Sequence, residues 1–210
     1  MILIKQKVIY LLALVTIMIC VTSCEINNGG GLAVPEDYSP VSLLIKEEGK
    51  VISLGLNYSD IEAVLGSPTG ESETHGSLLL QQYGDVMQDD LIRIGFIDDK
   101  ASLFVLTQFS GKKFYTDSGM TIGTSNTDFW TLYNVPDEMS YNDKIDARDF
   151  YMFQIFKDNE EYRISLVGEN KANINTSAGY YMYVMIDYKN LSCDVNKIVI
   201  GTPEALELYD

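Results

Sequence analysis

Apolar residues recur along this chain in two rhythms, one suited to strands and one to helices. The strand rhythm is clearest at Leu91–Ile97, where Ile92, Ile94 and Phe96 alternate with Leu91, Arg93, Gly95 and Ile97. Period-two alternation marks a strand with two different faces. Asp149 to Phe156 repeats it, with Tyr151, Phe153 and Ile155 on one side. Leu78–Tyr83, Ala101–Phe109, Tyr162–Val167, Gly179–Tyr188 and Val195–Ile200 also read as strands. Asp98-Asp99-Lys100 and Lys157-Asp158-Asn159-Glu160 supply turns between neighbours, and Lys189-Asn190 turns the chain before its last strand. Val51–Leu54 leads into the first helix, while Val41–Ile45 is compatible with either strand or helix. Thr69–Gly76, Gly84–Asp90 and Gly168–Ala178 read as loops.

The helical rhythm appears twice, briefly. Ile61, Val64 and Leu65 fall at i, i+3 and i+4, as do Phe129, Leu132 and Tyr133. Each triplet closes on a left-handed stop and a proline: Gly66 and Pro68, then Asn134 and Pro136. Asn is the usual substitute for Gly where the backbone must turn left-handed. Ser59 and Glu62 have the spacing of a capping box. Matching Gly55-Leu56 to Gly119-Met120 gives the second copy a lead-in loop four residues longer. The shared order of glycine, cap, apolar triplet, stop and proline reads as an internal repeat. Helices of about two turns are marginal alone, so each must lie on a sheet. A third short helix is expected from Thr202-Pro203-Glu204 to Tyr209.

The first residues belong to a different regime. Lys5 and Lys7 precede thirteen almost wholly apolar residues, Val8–Cys20, and small residues follow. This is the order of a secretory signal, and the run is shorter than the ~20 residues that span a bilayer. Val21-Thr22-Ser23-Cys24 resembles the lipobox of bacterial lipoproteins. The resemblance implies diacylglyceryl modification of Cys24 and cleavage before it, leaving the chain held to a membrane through its N-terminal lipid. Two or more acyl chains on one residue make a stable anchor. Glu25 to Pro40, with Asn27-Asn28-Gly29-Gly30-Gly31 and then Pro35 and Pro40, reads as a tether.

Composition changes the picture in three ways. Twenty-three aromatics (14 Tyr, 8 Phe, 1 Trp) suffice for a packed core. The net charge is −15, and removal of Lys5 and Lys7 with the signal leaves 13 basic against 30 acidic residues, or −17. That field opposes nucleic-acid binding. It fits either a solvated acidic surface or a face for a basic partner. Of the three cysteines, Cys20 lies in the signal, Cys24 is the lipidation site and Cys193 is alone in the body. No intrachain disulfide framework follows.

No catalytic, cofactor-binding or metal-ligating set emerges. His75, the single histidine, sits in a polar loop, whereas a catalytic triad needs its histidine held by neighbours. One histidine and one body cysteine do not make a zinc site. Asp89-Asp90 and Asp98-Asp99 lack EF-hand spacing and read as turn residues. The densest aromatic group is Tyr180, Tyr181, Tyr183 and Tyr188 with Met182 and Met185. In a strand Tyr181, Tyr183 and Met185 share one face, and Tyr180 and Met182 the other. One set packs under helices; the other is available to a partner, since tyrosine offers apolar area with a polar tip. Trp130 is a further candidate contact beside Phe129.

The run Gly55-Leu56, Ile61, Val64, Leu65, Gly66, Pro68, and its second form Gly119-Met120, Phe129, Leu132, Tyr133, Asn134, Pro136, resembles the repeat of the beta-lactamase-inhibitor-protein fold. It is also similar to the small accessory lipoprotein of the outer-membrane barrel-assembly machinery. The resemblance implies an α+β fold of antiparallel sheet with short helices packed on one face, in two tandem repeats that present a broad surface to another protein. The expected organisation is a signal peptide at 1–23, a tether at 24–40, and repeats at 41–110 and 111–210. The expected function is that of a non-catalytic, lipid-anchored protein-binding module on the extracytoplasmic side of a bacterial envelope. A surface-anchored inhibitor of an exported enzyme is the alternative. Cys24 is the lipidation residue, and Trp130, Tyr180, Tyr181 and Tyr183 are the candidate partner contacts.

Overall fold

The computed structural model describes residues 39–135, 148–158, 161–167, 178–187 and 194–209. Cys24, Cys193, Tyr188, Pro136 and the whole signal region lie outside them. The described part is α+β with antiparallel sheets and few short helices. A small sheet has the order β2-β1-β7, from β1 (Ser42–Ile45), β2 (Lys50–Ser53) and β7 (Phe114–Tyr115). Val41–Ile45 is therefore a strand, buried along its length between two partners.

The large sheet has eight strands: β3 (Glu73–His75), β4 (Leu78–Tyr83), β5 (Ile92–Ile97), β6 (Lys100–Leu106), β8 (Arg148–Asp158), β9 (Glu161–Leu166), β10 (Tyr180–Asp187) and β11 (Asp194–Gly201). Their spatial order is β3-β4-β5-β6-β11-β10-β8-β9. β3 through β6 form a meander. The β5–β6 turn is made by Asp98 and Asp99, at φ 50° and 62°. Two successive left-handed residues suit the right-handed twist of a two-residue hairpin. The later strands are not a simple copy of this order. β9 pairs on the outer edge of β8, so β10 pairs with β8 rather than with its chain predecessor. The halves meet where β6 pairs β11, from Leu103↔Gly201 to Leu106↔Ile198. The eight strands are thus one sheet, and a division at residue 111 cuts both this pairing and that of β1 with β7.

Alternation assigns each face of the sheet to its own cluster. Ile92, Ile94, Phe104, Tyr151, Phe153, Ile155, Met182, Val184 and Ile186 join the larger core, with Leu43, Ile45 and Ile52 of the small sheet. Two helices reach the same core, α1 (Tyr58–Leu65) through Ile61 and α2 (Asn126–Leu132) through Phe129. A third helix, α3 (Pro203–Tyr209), lies on the opposite face, where Ala205 and Leu206 pack with Leu78, Leu80 and Leu103. The expectation of helices on one face is corrected here. Gly95 and Gly201 explain the second layer. A Cβ on Gly201 would stand 3.3 Å from Leu206 Cγ, and one on Gly95 2.7 Å from Leu78 Cδ1. The bare backbone at these two positions lets the leucines seat.

The two core-facing helices are approached through the same hydrogen bonds. Gly55 N–H donates to Ala101 O (2.7 Å), and Ala101 N–H donates to Leu56 O (2.8 Å). Correspondingly, Gly123 N–H donates to Val195 O (2.8 Å), and Val195 N–H donates to Thr124 O (2.8 Å). The cap residues Asn57 and Ser125 each bridge to the first residue of the strand so engaged, Lys100 and Asp194. Gly55 and Gly123 both have positive φ, 90° and 82°. Gly123, not Gly119, thus makes the approach to α2 that Gly55 makes to α1, and the two approaches are of equal length. Gly119 instead serves a turn in which its N–H donates to Thr116 O (2.9 Å).

The caps also differ from expectation. α1 begins earlier than Ser59 implies: Asn57 is the cap, and its N–H donates to the Asp60 carboxylate at 3.3 Å. Ser59 is exposed within the first turn. In α2 the Ser125 hydroxyl accepts from Asp128 N–H at 3.1 Å. Gly66 (φ 82°) and Asn134 (φ 48°) occupy the positive-φ stops. Leu132, expected on the buried face, is 38% exposed; Tyr133 packs against the core as expected, and Trp130 joins it. Phe129, Tyr133 and Trp130 lie within one arc of about 100° of the helix, and Leu132 lies about 60° beyond Phe129 on the far side of that arc.

Two stability measurements follow. Ser125→Ala should destabilise the fold by about 0.5–2 kcal/mol in chemical denaturation, whereas Ser59→Ala should stay within about 0.5 kcal/mol. Gly95→Ala should cost about 1–3 kcal/mol through overpacking against Leu78 and Leu103; an unchanged midpoint would contradict the close packing described at Gly95.

Candidate functional site

α3 covers β4, β5 and β6, and no other described helix covers the same face over β8 and β10. There the register sets three cross-strand pairs side by side: Gln154↔Tyr181, Met152↔Tyr183 and Phe150↔Met185. Burial falls along this ladder. Gln154 and Tyr181 are buried, Tyr183 is 36% exposed and Phe150 is 72% exposed. Cross-strand pairs of aromatic and long apolar side chains cohere. The result is a thioether-and-aromatic patch that is fixed by the sheet at one end and open at the other. Val199 and Lys197 of β11 follow Tyr183 and Met185 across the sheet. The Lys197 ammonium lies over the Tyr209 ring at 5.0 Å.

The four candidate contacts are divided between the faces. Tyr181 and Tyr183 share the face just described. Tyr180 and Trp130 pack against the larger core on the other side. The Trp130 indole N–H donates to the Tyr151 hydroxyl at 3.2 Å, which ties α2 to β8. Burial, aided by nearby Tyr162, raises the Tyr180 phenol above its usual pKa, and Lys157 partly opposes this. Since Tyr181 is buried, Tyr183 is the member of the set that meets solvent on the open face. Phe150 lies outside the set that the sequence points to. Its signal is nonetheless present there, because it precedes Tyr151 and so takes the opposite phase from Tyr151, Phe153 and Ile155.

Beneath α2 lies an aromatic stack. Phe129 sits 4.9 Å from Tyr151 and 6.0 Å from Phe153 between ring centres, and Tyr133 sits 4.9 Å from Phe153. The Tyr133 hydroxyl belongs to a partly buried polar cluster with Ser118 and Thr116. Ser118 Oγ donates to it at 2.5 Å, and Thr116 Oγ1 is 3.1 Å away. Burial pushes the Tyr133 phenol up to about 12. The neighbouring Asp117 carboxylate accepts from Ser118 N–H at 2.8 Å. Burial raises its pKa, and that bond only partly offsets the rise.

The acid–base candidates do not assemble. His75 lies on β3, not in a loop. Its Nε2 is 3.6 Å from a Glu73 oxygen that also accepts from Arg93 at 2.6 Å. The Arg93 hydrogen bond and charge draw the Glu73 carboxyl below its usual range. Asp90 is held by Lys113 at 2.9 Å and by Asp85 N–H at 2.5 Å. Asp98 and Asp99 form the hairpin turn. Among the described residues no three metal-ligating side chains gather, and no helix is long and apolar enough to cross a membrane.

No protein-family model matches this chain, and no curated protein matches it. Among solved structures it is similar to a cysteine-rich secretory protein from Staphylococcus aureus subsp. aureus Mu50, with a TM-score of 0.42 and 12% identity over 73% of this chain and 46% of that one. It is also similar to an extracellular protein containing a SCP domain from Bacillus anthracis str. Ames, with a TM-score of 0.41 and 8% identity over 74% of this chain and 46% of that one. The chain spans less than half the length of each.

Asp117 provides a pH test of this polar cluster. Its folded pKa is raised, so ionisation disfavours the fold, and the penalty grows as pH rises from the unfolded carboxyl value of about 3.9. Asp117→Asn keeps the acceptor for Ser118 N–H. It should raise the melting temperature at pH 7, and the difference should vanish below about pH 3.9.

Proposed function

We propose that this protein is a lipid-anchored, extracytoplasmic bacterial lipoprotein whose folded part is a non-catalytic protein-binding module. The observation that carries the binding half is the open end of the Phe150–Met185 and Met152–Tyr183 ladder. A 72% exposed phenylalanine on a regular strand is unfavourable in water and gains from cover by a partner. Aromatic and methionine side chains are the residue types enriched at protein interfaces. The anchor half rests on Val21-Thr22-Ser23-Cys24 after an apolar run too short to span a bilayer. Such an anchor with a tether leaves the module free to present that face.

The module reads as two tandem units of one plan. The equal lead-ins from Gly55 and Gly123, the caps at Asn57 and Ser125, and the stops at Gly66 and Asn134 support this reading. The β9 hairpin is then an addition within the second unit. In this reading the resemblance to the beta-lactamase-inhibitor-protein repeat reflects a shared way of laying a short helix on three strands.

Metabolic labelling with an alkyne fatty acid tests the anchor: Cys24→Ala should lose the label and leave the membrane fraction, and retained label would refute lipidation at that residue. Photo-crosslinking from position 150 in intact cells tests the face. A discrete adduct that disappears in Tyr183→Glu supports it. Adducts indifferent to Tyr183→Glu count against it.

A further inference from the structure

A second exposed apolar group lies at another corner of the molecule, and the sheet has no part in it. Met87 is 89% exposed, and Val86 and Phe109 are each 41% exposed. They sit on two single 3₁₀ turns, Val86–Gln88 between β4 and β5 and Gln108–Ser110 after β6. The turns pack against each other. Together they hold half of the large hydrophobic side chains exposed among the described residues.

This corner is built to hold its shape. Asp85 Oδ1 accepts from Met87 N–H at 2.8 Å, and Thr107 Oγ1 accepts from Phe109 N–H at 3.4 Å. Thr107 N–H donates to Ser110 Oγ at 2.9 Å, and Ser110 Oγ donates in turn to Leu91 O. Leu91 N–H donates to Phe109 O at 3.0 Å, which ties the second turn to the start of β5. Gly84 and Gly111, both at positive φ, lie where a Cβ would strike Asp90 and Asp89. An exposed thioether on a fixed backbone binds at low ordering cost, because only the side chain must settle.

The surrounding charge selects the partner. Asp85, Asp89 and Asp90 ring the corner. Asp90 is neutralised by Lys113 at 2.9 Å. Lys112 has its Cε 3.6 Å from where a Cβ on Gly123 would stand. Among the described residues neither Asp85 nor Asp89 forms an ion pair, and the chain carries a net charge of −15. This field repels anionic lipid headgroups and favours cationic protein.

We propose that the corner formed by Val86, Met87 and Phe109, with the carboxylates of Asp85 and Asp89, is a docking surface for a protein segment that combines large apolar residues with Lys or Arg. It is separate from the Phe150–Tyr183 face and does not depend on it. The apolar residues cover the thioether and ring; the cations pair with the two carboxylates.

The test is to pan a phage-displayed random peptide library on the full chain and measure affinities of the enriched peptides. The expected peptides carry aliphatic or aromatic residues flanked by Lys or Arg. Met87→Ser, at a solvent-exposed position, should weaken them about tenfold or more with the melting temperature unchanged. Asp89→Asn preserves a side chain that tolerates the left-handed backbone at φ 51°. It should weaken binding severalfold and flatten its decline between about 0.01 M and 0.15 M salt. Peptides without basic residues, or none whose binding depends on Met87, overturn the proposal. So does Met87-dependent sedimentation with phosphatidylcholine vesicles, which would make the corner a membrane contact.

Discussion

The pairing of β6 with β11 is the constraint on which the rest of the structure depends. It joins strands that lie far apart in sequence and puts Phe104 beside Ile200 and Val105 beside Val199. Phe104 and Ile200 face the larger core, and Val105 and Val199 face the smaller one. Four residues of β6 and three of β11 therefore serve the ladder and the two hydrophobic layers at once. Without that seam each half would present an unpaired central edge, with an aliphatic face on either side of it. The hydrogen bonds that lead into the helices reinforce the seam, because Ala101 and Val195, near the starts of these same strands, also fix the approaches to α1 and α2. Position of the helices and integrity of the sheet are one problem solved by two residues.

Much of the local plan is legible in the sequence because it is set by local chemistry. Asn134 reads as a left-handed stop since few residues tolerate positive φ, and it adopts φ 48°. The Asp98-Asp99 hairpin and the phases of β5 and β8 follow from alternation alone. The departures have equally physical sources. Asn57 and Ser59 are both good caps, and their competition is decided by Asp60, which bonds Asn57 N–H, and by the bridge from Asn57 to Lys100. A sequence cannot display that second, non-local contribution. Gly119 resembles Gly55 in preceding an apolar residue, yet it is Gly123 that contacts β11. Leu132 has the spacing of a core residue and lies at the surface because Tyr133 and Trp130 take the available contacts with β8.

The candidate site is less legible than the fold. Four aromatic residues, three of them close together in sequence, are divided by the pleat, with Trp130 and Tyr180 on one side and Tyr181 and Tyr183 on the other. The patch that does form depends on which strand lies beside β10. Chain order suggests β9, but β8 occupies that place, and with it Phe150 and Met152 arrive opposite Met185 and Tyr183. The corner at Met87 and Phe109 is invisible for a similar reason: Met87 sits in a polar loop, Phe109 reads as the end of a strand that in fact stops at Leu106, and their proximity is created by packing of two turns that the sequence separates.

β11, the last of the described strands, fills the middle of the sheet. For a polypeptide delivered N-terminus first, β3 through β6 can pair as they emerge, but the inner edge of β6 stays open until residues 198–201 arrive to match it. Closure of long chain loops is slow, and open edges invite wrong partners in the interval. Completion of the sheet thus waits for β11, and a chain that pauses before it leaves the inner edge of β6 unpaired.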